Sequence, residues 1–236
     1  MSIRYIFFDL DGTLLPMDQD VFVKAYFRGL SAKLAPHGYD PQKLIEAIWS
    51  GTGAMVKNNG STTNEAAFWR HFTDIFGDDA MKDEPIFEEF YRKDFQQVRS
   101  VCGFEPRAAQ TVTALKKMGY SLVLATNPIF PAIATESRMR WAGLEREDFL
   151  LYTTYENSRH CKPNPEYYRD ILSSLNISAA ECLMVGNDAL EDTAAEKVGI
   201  KVFLLTDCLI NKHGLDISGY PQGSFDALMD YIQTLS

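Results

Sequence analysis

Asp9 and Asp11 sit two residues apart in the segment Asp9-Leu10-Asp11-Gly12-Thr13, directly after the apolar run Ile3–Phe8. The run reads as a buried strand. Residues two apart on a strand face the same side, so the two carboxylates can share one site. Gly12 lets the backbone leave the strand through a tight or left-handed turn. Two carboxylates at the end of a buried strand cost stability unless something compensates them. A divalent cation supplies that compensation, and catalysis supplies a reason to keep them. By itself the segment is also a plain strand end, since Asp and Gly form turns and Thr caps helices.

Three further clusters carry polar chemistry. The apolar run Ser121–Ala125 ends in Thr126-Asn127-Pro128, whose hydroxyl and amide can donate to a phosphate oxygen. His160-Cys161-Lys162-Pro163-Asn164-Pro165 precedes an amphipathic stretch; its prolines stiffen the loop and start the helix, so Lys162 is held in place. A fixed lysine among carboxylates balances charge and grips phosphate. The run Cys182–Val185 ends in Gly186-Asn187-Asp188-Ala189-Leu190-Glu191-Asp192. If a helix starts there, Asp188 and Asp192 lie on one face at i, i+4 and repel each other unless Lys162 or a cation intervenes. Each cluster taken singly is an ordinary turn, surface lysine or acidic helix start.

The elements that must position these residues come in two textures. Residues 1–15 and roughly 103–236 alternate short apolar runs with amphipathic stretches. The runs are Ile3–Phe8, Ser121–Ala125, Phe149–Thr153, Cys182–Val185 and Val202–Leu205. The stretches include Arg107–Met118, Pro131–Trp141, Pro165–Leu175 and Leu190–Val198. This alternation predicts βαβ units and a parallel sheet covered on both faces. In such sheets ligands bind at the carboxyl ends of the strands. Residues 17–100 read as helical throughout, with helices expected at Asp18–Leu34, after Pro41, after Thr63-Asn64-Glu65, and at Asp83–Val98. They predict a compact four-helix bundle whose aromatic stripes form its core. Leu15-Pro16 and Cys102-Gly103 are the expected hinges.

Composition narrows the function classes. Lys and Arg total 23 against 32 Asp and Glu, a formal net charge of −9. That balance disfavours nonspecific binding to nucleic acid or anionic membrane. It leaves room for a phosphorylated substrate, because one local lysine or metal ion reverses the local field. Cys102, Cys161, Cys182 and Cys208 form no Cys-x-x-Cys pair, and His37, His71, His160 and His213 are scattered. Structural zinc and a disulfide framework are not expected. The first residues read as a strand containing Asp rather than a signal peptide, and no apolar run approaches a membrane span. The expectation is a soluble, cytoplasmic protein.

The four clusters occur in this order: acidic pair, hydroxyl and amide, lysine with prolines, second acidic group. In that order the chain resembles the haloacid dehalogenase (HAD) superfamily of hydrolases. The family's four motifs map onto Asp9/Asp11, Thr126, Lys162 and Asp188/Asp192. The resemblance covers the whole chain, because the family's helical cap of the first type inserts just after the first motif, as residues 17–100 do. It implies an α/β fold: a Rossmann-like parallel sheet core (1–16 and 101–236) with helices on both faces, plus an inserted four-helix cap (17–100). One departure concerns the fourth motif, usually Gly-Asp with a second Asp three or four residues on. Here Gly186 is followed by Asn187. Aligned without gaps, Asn187 takes the first position and Glu191 or Asp192 the second; with one inserted residue, Asp188 takes the first. A carboxylate binds a hard cation better than an amide does. Asp188 is therefore the expected ligand, with Asp192 supporting, while Asn187 and Glu191 stay open.

The resemblance implies phosphomonoester hydrolysis of a small phosphorylated metabolite, with Mg²⁺ held by Asp9, the main-chain carbonyl of Asp11, and Asp188. Asp9 is implied as nucleophile and Asp11 as general acid and base. Thr126, Asn127 and Lys162 are implied as phosphoryl contacts, with Lys162 bridging to Asp9. Thr13 is expected to brace the loop. Family members that cleave carbon–halogen bonds lack the second Asp, which argues against that chemistry here. A phosphomutase, which shares the acid/base pair, and a noncatalytic binding member are the alternatives. For substrate selection the cap offers Lys57, Asn58 and Asn59, or Lys24 and Arg28, all of types that are mostly solvated surface.

Overall fold

The computed structural model describes residues 2–235. Met1 and Ser236, the outermost residues of the expected core, lie outside the described residues. β1 (Tyr5–Phe8) is followed by four helices: α1 (Gln19–Leu34), α2 (Pro41–Val56), α3 (Asn64–Phe76) and α4 (Glu84–Arg92). The remainder alternates as α5 (Pro106–Lys117), β2 (Ser121–Leu124), α6 (Ala132–Trp141), β3 (Leu151–Tyr152), α7 (Pro165–Leu175), β4 (Cys182–Gly186), β5 (Lys201–Leu205), β6 (Gln222–Gly223) and α8 (Phe225–Thr234).

The six strands form one sheet in the order β3-β2-β1-β4-β5-β6, and all neighbours are parallel. Register explains how separate motifs meet. Phe8 pairs with Leu124 on one side and Val185 on the other. The residues that follow these three, Asp9, Ala125 and Gly186, therefore lie at one level, at the carboxyl edge of the sheet. β1 is also where the chain changes direction across the sheet, the usual place for a ligand crevice in open α/β folds.

Strand alternation divides the core between two faces. Ile6, Phe8, Leu122, Leu124, Leu183 and Val185 face one layer, which continues into the aromatic core of the inserted helices. Phe7, Val123, Met184 and Leu204 face the other, against Tyr167, Tyr168 and Ile171 of α7. Helix starts follow their caps. Asp18 accepts the N–H groups of Asp20 and Val21 at 2.9 and 3.1 Å, Asp40 precedes Pro41 and accepts from Lys43, and Thr63 accepts from Ala66.

Two expected helices take another form. The stretch Asp83–Val98 is not one helix: α4 stops at Arg92, and Asp94–Val101 winds as a 3₁₀ helix. Phe95, Val98 and Val101 recur at threes, the spacing that stacks on a 3₁₀ turn, and Phe95 and Val98 are buried. Leu190–Val198 is a turn followed by a 3₁₀ helix at Thr193–Val198. Asp188 caps the start of this segment as Asp18 caps α1, and Asp192 N closes one helical turn onto Asp188 O at 3.0 Å. Asp188 Oδ1 accepts from the N–H groups of Leu190 and Glu191, and Asp192 Oδ2 accepts from that of Asp188. β6, at the sheet edge, had no counterpart in the sequence reading.

The helical insertion leaves and rejoins the sheet domain through adjacent strands of chain. Met17 and Cys102 form an antiparallel bridge, and Gly103 N donates to Pro16 O at 2.7 Å. Fully buried Asn64, at the start of α3, donates from Nδ2 to Pro128 O at 3.2 Å, which ties the insertion to the loop after β2. Among the described residues no helix is long and apolar enough to cross a membrane.

Candidate active site

Asp9 follows β1, with its N–H donating to Val185 O at 2.9 Å, and is 8 % exposed. Lys162, on the loop before α7 and 1 % exposed, donates to Asp9 Oδ1 at 3.0 Å and to Asp192 Oδ1 at 2.7 Å. Three residues from three distant segments thus form one buried charge cluster. Burial opposes charge on Lys162, but Asp192 and Asp9 outweigh it and hold the ammonium protonated. Burial pushes Asp9 above the ordinary carboxylate range; Lys162 offsets only part of this, and the charges of Asp192 and Asp11 add to it.

Gly12 adopts φ +87°, so the chain after Asp11 can double back. Leu15 N and Thr13 N both donate to Leu10 O. The turn brings Thr13 Oγ1 to 2.9 Å from Asn187 Oδ1 and 3.3 Å from Asp9 Oδ2. Asn187 covers Gly12 so closely that a Cβ there would overlap its amide. Its Nδ2 donates to Cys208 O at 2.7 Å. Gly186 has a similar role, since a Cβ would overlap the Asp192 carboxylate.

Of the two residues that contend for the first position of the last motif, Asn187 is the one against the Asp9–Thr13 turn. The Asp188 carboxylate is engaged by its own following turn, and Asp188 also lines a surface cavity with Gln19, Lys212 and His213. Glu191 reaches Asn127 instead: Asn127 Nδ2 donates to Glu191 Oε1 at 3.0 Å. Burial pushes the Glu191 carboxyl up to about 8; Lys162 opposes this, and Asp192, Asp188 and Asp9 reinforce it. Thr126 is buried, and its carbonyl accepts from Thr153 Oγ1 at 2.6 Å and Tyr167 Oη at 2.9 Å.

One site residue had escaped the sequence reading. Arg138, on α6 and 1 % exposed, is ion-paired through Nη1 with Asp11 Oδ2. Its guanidinium lies 4.5 Å over the Phe130 ring. Burial raises the Asp11 carboxyl above the ordinary range, and Arg138 and then Lys162 offset only part of this. A signal existed: Arg138 shares a helix face with Ala134 and Trp141, both buried, so a charge stood on an apolar stripe. Of the insertion residues weighed for substrate selection, Asn58 donates its amide to Thr62 O and Asn64 Oδ1, while Lys24, Arg28, Lys57 and Asn59 are exposed.

The cluster gathers the carboxyl groups of Asp9, Asp11, Glu191 and Asp192 against Lys162 and Arg138; with Glu191 protonated, three carboxylates still face two cations, an excess that a divalent cation would balance. Among the described residues no three His, Cys, Asp or Glu side chains converge as a metal cage. The available donors are of mixed kind: the Asp9 carboxylate, amide oxygens and main-chain carbonyls, all hard oxygens that suit Mg²⁺. Two buried oxygens, Asp11 Oδ1 and Asn127 Oδ1, have no hydrogen-bond partner. Buried acceptors are seldom left so unless something absent fills them. The residues present therefore fit a hard divalent cation with its waters and an anionic substrate.

Residues 3–206 match the model of a haloacid dehalogenase-like hydrolase family. The chain is 27% identical over 208 residues to a glyceraldehyde 3-phosphate phosphatase of Pyrococcus abyssi, covering 84% of this chain and 79% of the relative. It is 24% identical over 239 residues to a phosphoglycolate phosphatase of Vibrio parahaemolyticus, covering 100% and 97%. Among solved structures, the 2-haloacid dehalogenase of Pseudomonas syringae pv. Tomato superposes with a TM-score of 0.65 at 19% identity, over 99% of this chain and 100% of that one. At that identity the likeness shows the fold alone.

Proposed function

Since the chain belongs to the haloacid dehalogenase-like hydrolases, we propose that it is a Mg²⁺-dependent phosphomonoester hydrolase of a small phosphorylated metabolite. The two curated relatives above are named as phosphatases of such compounds. One observation carries the reading: buried Lys162 ties Asp9 to Asp192 at the sheet's carboxyl edge, with a second carboxylate, Asp11, on the same turn. Nothing else in the fold requires that concentration of buried charge, which is costly without a function.

In this reading an Asp9 oxygen attacks phosphorus. The phosphorus–ester oxygen bond breaks, and Asp9 becomes an aspartyl phosphate. Asp11 gives its proton to the departing oxygen, then takes one from the water that attacks the aspartyl phosphate. Its environment suits both halves, with burial favouring the acid and Arg138 the carboxylate. Lys162 neutralises Asp9 and meets the phosphoryl oxygens, with Thr126 and Asn127 as further donors. Asp9, the Asp11 carbonyl and the Asn187–Asp188 pair would hold Mg²⁺, with Asp192 supporting through Lys162. When bound, the ion screens the carboxylates from the incoming phosphate and stabilises charge on the transferring group. Residues 17–100 serve as the cap that covers the site.

The test is phosphate release from a panel of phosphomonoesters, with and without Mg²⁺, on the wild type and Asp9→Asn. Metal-dependent release that the substitution abolishes is the expected result. Release unchanged by Asp9→Asn would sink the mechanism. Turnover seen only as phosphoryl transfer to a sugar, with a bisphosphate primer, would replace hydrolase by mutase.

A further inference from the structure

The inserted helices enclose a cavity of about 350 Å³ against the loop that follows β2. Its walls are aromatic: Tyr26, Trp49, Phe68, Trp69, Phe130 and Tyr155 all line it. The charged groups in its lining are Glu65, Glu84, Glu88 and Glu156, and no lysine or arginine is among the lining residues. Two of these acids have partners. Glu88 is paired with Arg92, and both Glu156 oxygens accept from Ala132 N, at 2.8 and 3.1 Å. Burial and the charges of Glu156 and Glu84 raise the Glu65 carboxyl, so like charges face one another with no basic side chain in the lining between them.

A second observation is independent of the acids. Trp69 is 6 % exposed, and its indole N–H is buried without a hydrogen-bond partner. The Tyr155 hydroxyl beside it feels the indole N–H as a weak donor, too poorly placed to make a full hydrogen bond. Tryptophan N–H groups are seldom buried without an acceptor. A ligand oxygen in the cavity would supply one.

The cavity also adjoins the catalytic loop. Ile129, Phe130 and Pro131 form part of its wall, and Ile129 N donates to Asn127 O at 2.9 Å. Consecutive Cα atoms are about 3.8 Å apart, so the Ile129 Cα lies within roughly 8 Å of that of Asn127. Phe130, which faces the cavity, carries on its ring the Arg138 guanidinium that pairs with Asp11.

Aromatic faces and carboxylates both attract a cation, and the carboxylates repel an anion. A purely apolar ligand would gain nothing from the four glutamates. We propose that this cavity binds an organic cation, an amine or quaternary ammonium group borne on a short chain with an oxygen acceptor for Trp69. Combined with the phosphatase reading, on which this second half rests, the cation is the far end of the leaving alcohol. The substrate class is then the phosphomonoester of an amino alcohol.

The test begins with binding, on the full chain. Choline and its uncharged isostere 3,3-dimethylbutan-1-ol are titrated by calorimetry and by tryptophan fluorescence. Choline is expected to bind at least about tenfold tighter than the isostere. Glu65→Gln, which keeps the shape of the side chain, is expected to remove most of that preference and leave the isostere unchanged. Equal binding of the two, or no choline binding, would overturn the assignment. The second arm compares kcat/KM for phosphocholine, phosphoethanolamine and 3,3-dimethylbutyl phosphate. The cationic esters are expected to lead by about tenfold in the wild type and to lose that lead in Glu65→Gln. Cleavage of all three at equal rates would overturn the leaving-group half. Choline binding without cleavage of any ester in the wider panel would overturn the phosphatase reading and leave the cation site standing.

Discussion

Buried Arg138 and half-buried Asp11 form an ion pair across 127 residues of sequence, and the same guanidinium rests on Phe130 in the loop that begins with Thr126 and Asn127. The acid/base candidate is thereby mechanically joined to the loop that would meet the phosphate. Removing one partner of such a pair strands the other charge. Arg138→Met is expected to destabilise the fold by up to about 3 kcal/mol, the low end for a buried pair, because Asp11 keeps some contact with water. Arg138→Met combined with Asp11→Asn should recover part of that loss, because neither charge is then left alone. Denaturant unfolding of the four proteins checks it. Simple additivity of the two substitutions would mean the pair carries no coupling.

Lys162 neutralises Asp9 and Asp192 together. Lys162→Met should lower phosphate release by at least about a hundredfold, the scale of losing one well-placed donor to the developing charge. It should also lower the unfolding midpoint, and Asp192→Asn in the same chain should restore much of the midpoint without restoring activity. Turnover assays beside thermal melts separate the two effects.

Asn187 stands against the Asp9–Thr13 turn, whereas the Asp188 carboxylate accepts from the N–H groups of Leu190 and Glu191. Asn187→Ala is therefore expected to raise the Mg²⁺ concentration for half-activation by about 10–100-fold. Asp188→Ala should change it less and cost about 1 kcal/mol of stability through the lost turn. A larger metal effect from Asp188→Ala would put that carboxylate at the ion.

Glu191 gives a pH dependence with a definite sign. Its carboxyl is pushed to about 8 in the folded chain, against about 4.3 for an unfolded glutamate. Between these values the folded state holds the proton and the unfolded state releases it, so stability falls as pH rises. Metal-free protein in EDTA should lose melting temperature from pH 5 to pH 8, with each kcal/mol worth about 2–4 °C in a domain of this size. Glu191→Gln should flatten the slope, leaving the part due to Asp9, which is raised in the same direction. An unchanged slope would show that Glu191 ionises normally.

Much of this molecule was legible in its order of residues. The apolar runs at Ile3–Phe8 and Cys182–Val185 marked strands because a strand buried on both faces needs apolar side chains at successive positions. Pro41 and Thr63 marked helix starts because proline lacks the N–H that a first turn leaves unpaired and the threonine side chain satisfies one such N–H locally. The family likeness reached from chemistry at strand ends agrees with the family model that spans residues 3–206. Where local periodicity misled was in the kind of helix: the stretch after Gly186 is a turn capped by Asp188 that continues as the 3₁₀ helix Thr193–Val198 rather than as an α-helix.

The sequence by itself determined which residue types stand at the ends of which strands, because strand, turn and cap preferences act over a few neighbours. Only the tertiary structure decided which of them meet. The level register of Phe8, Leu124 and Val185 brings Asp9 beside the Thr126 and Asn187 loops. The packing of α6 turns Arg138 inward to Asp11, and the closure of four helices over Phe130 makes an acidic aromatic cavity from residues that singly read as core or surface. Such contacts span a hundred residues or more of chain. No local periodicity encodes them, because their energy arises only when burial removes water from charges that were solvated apart.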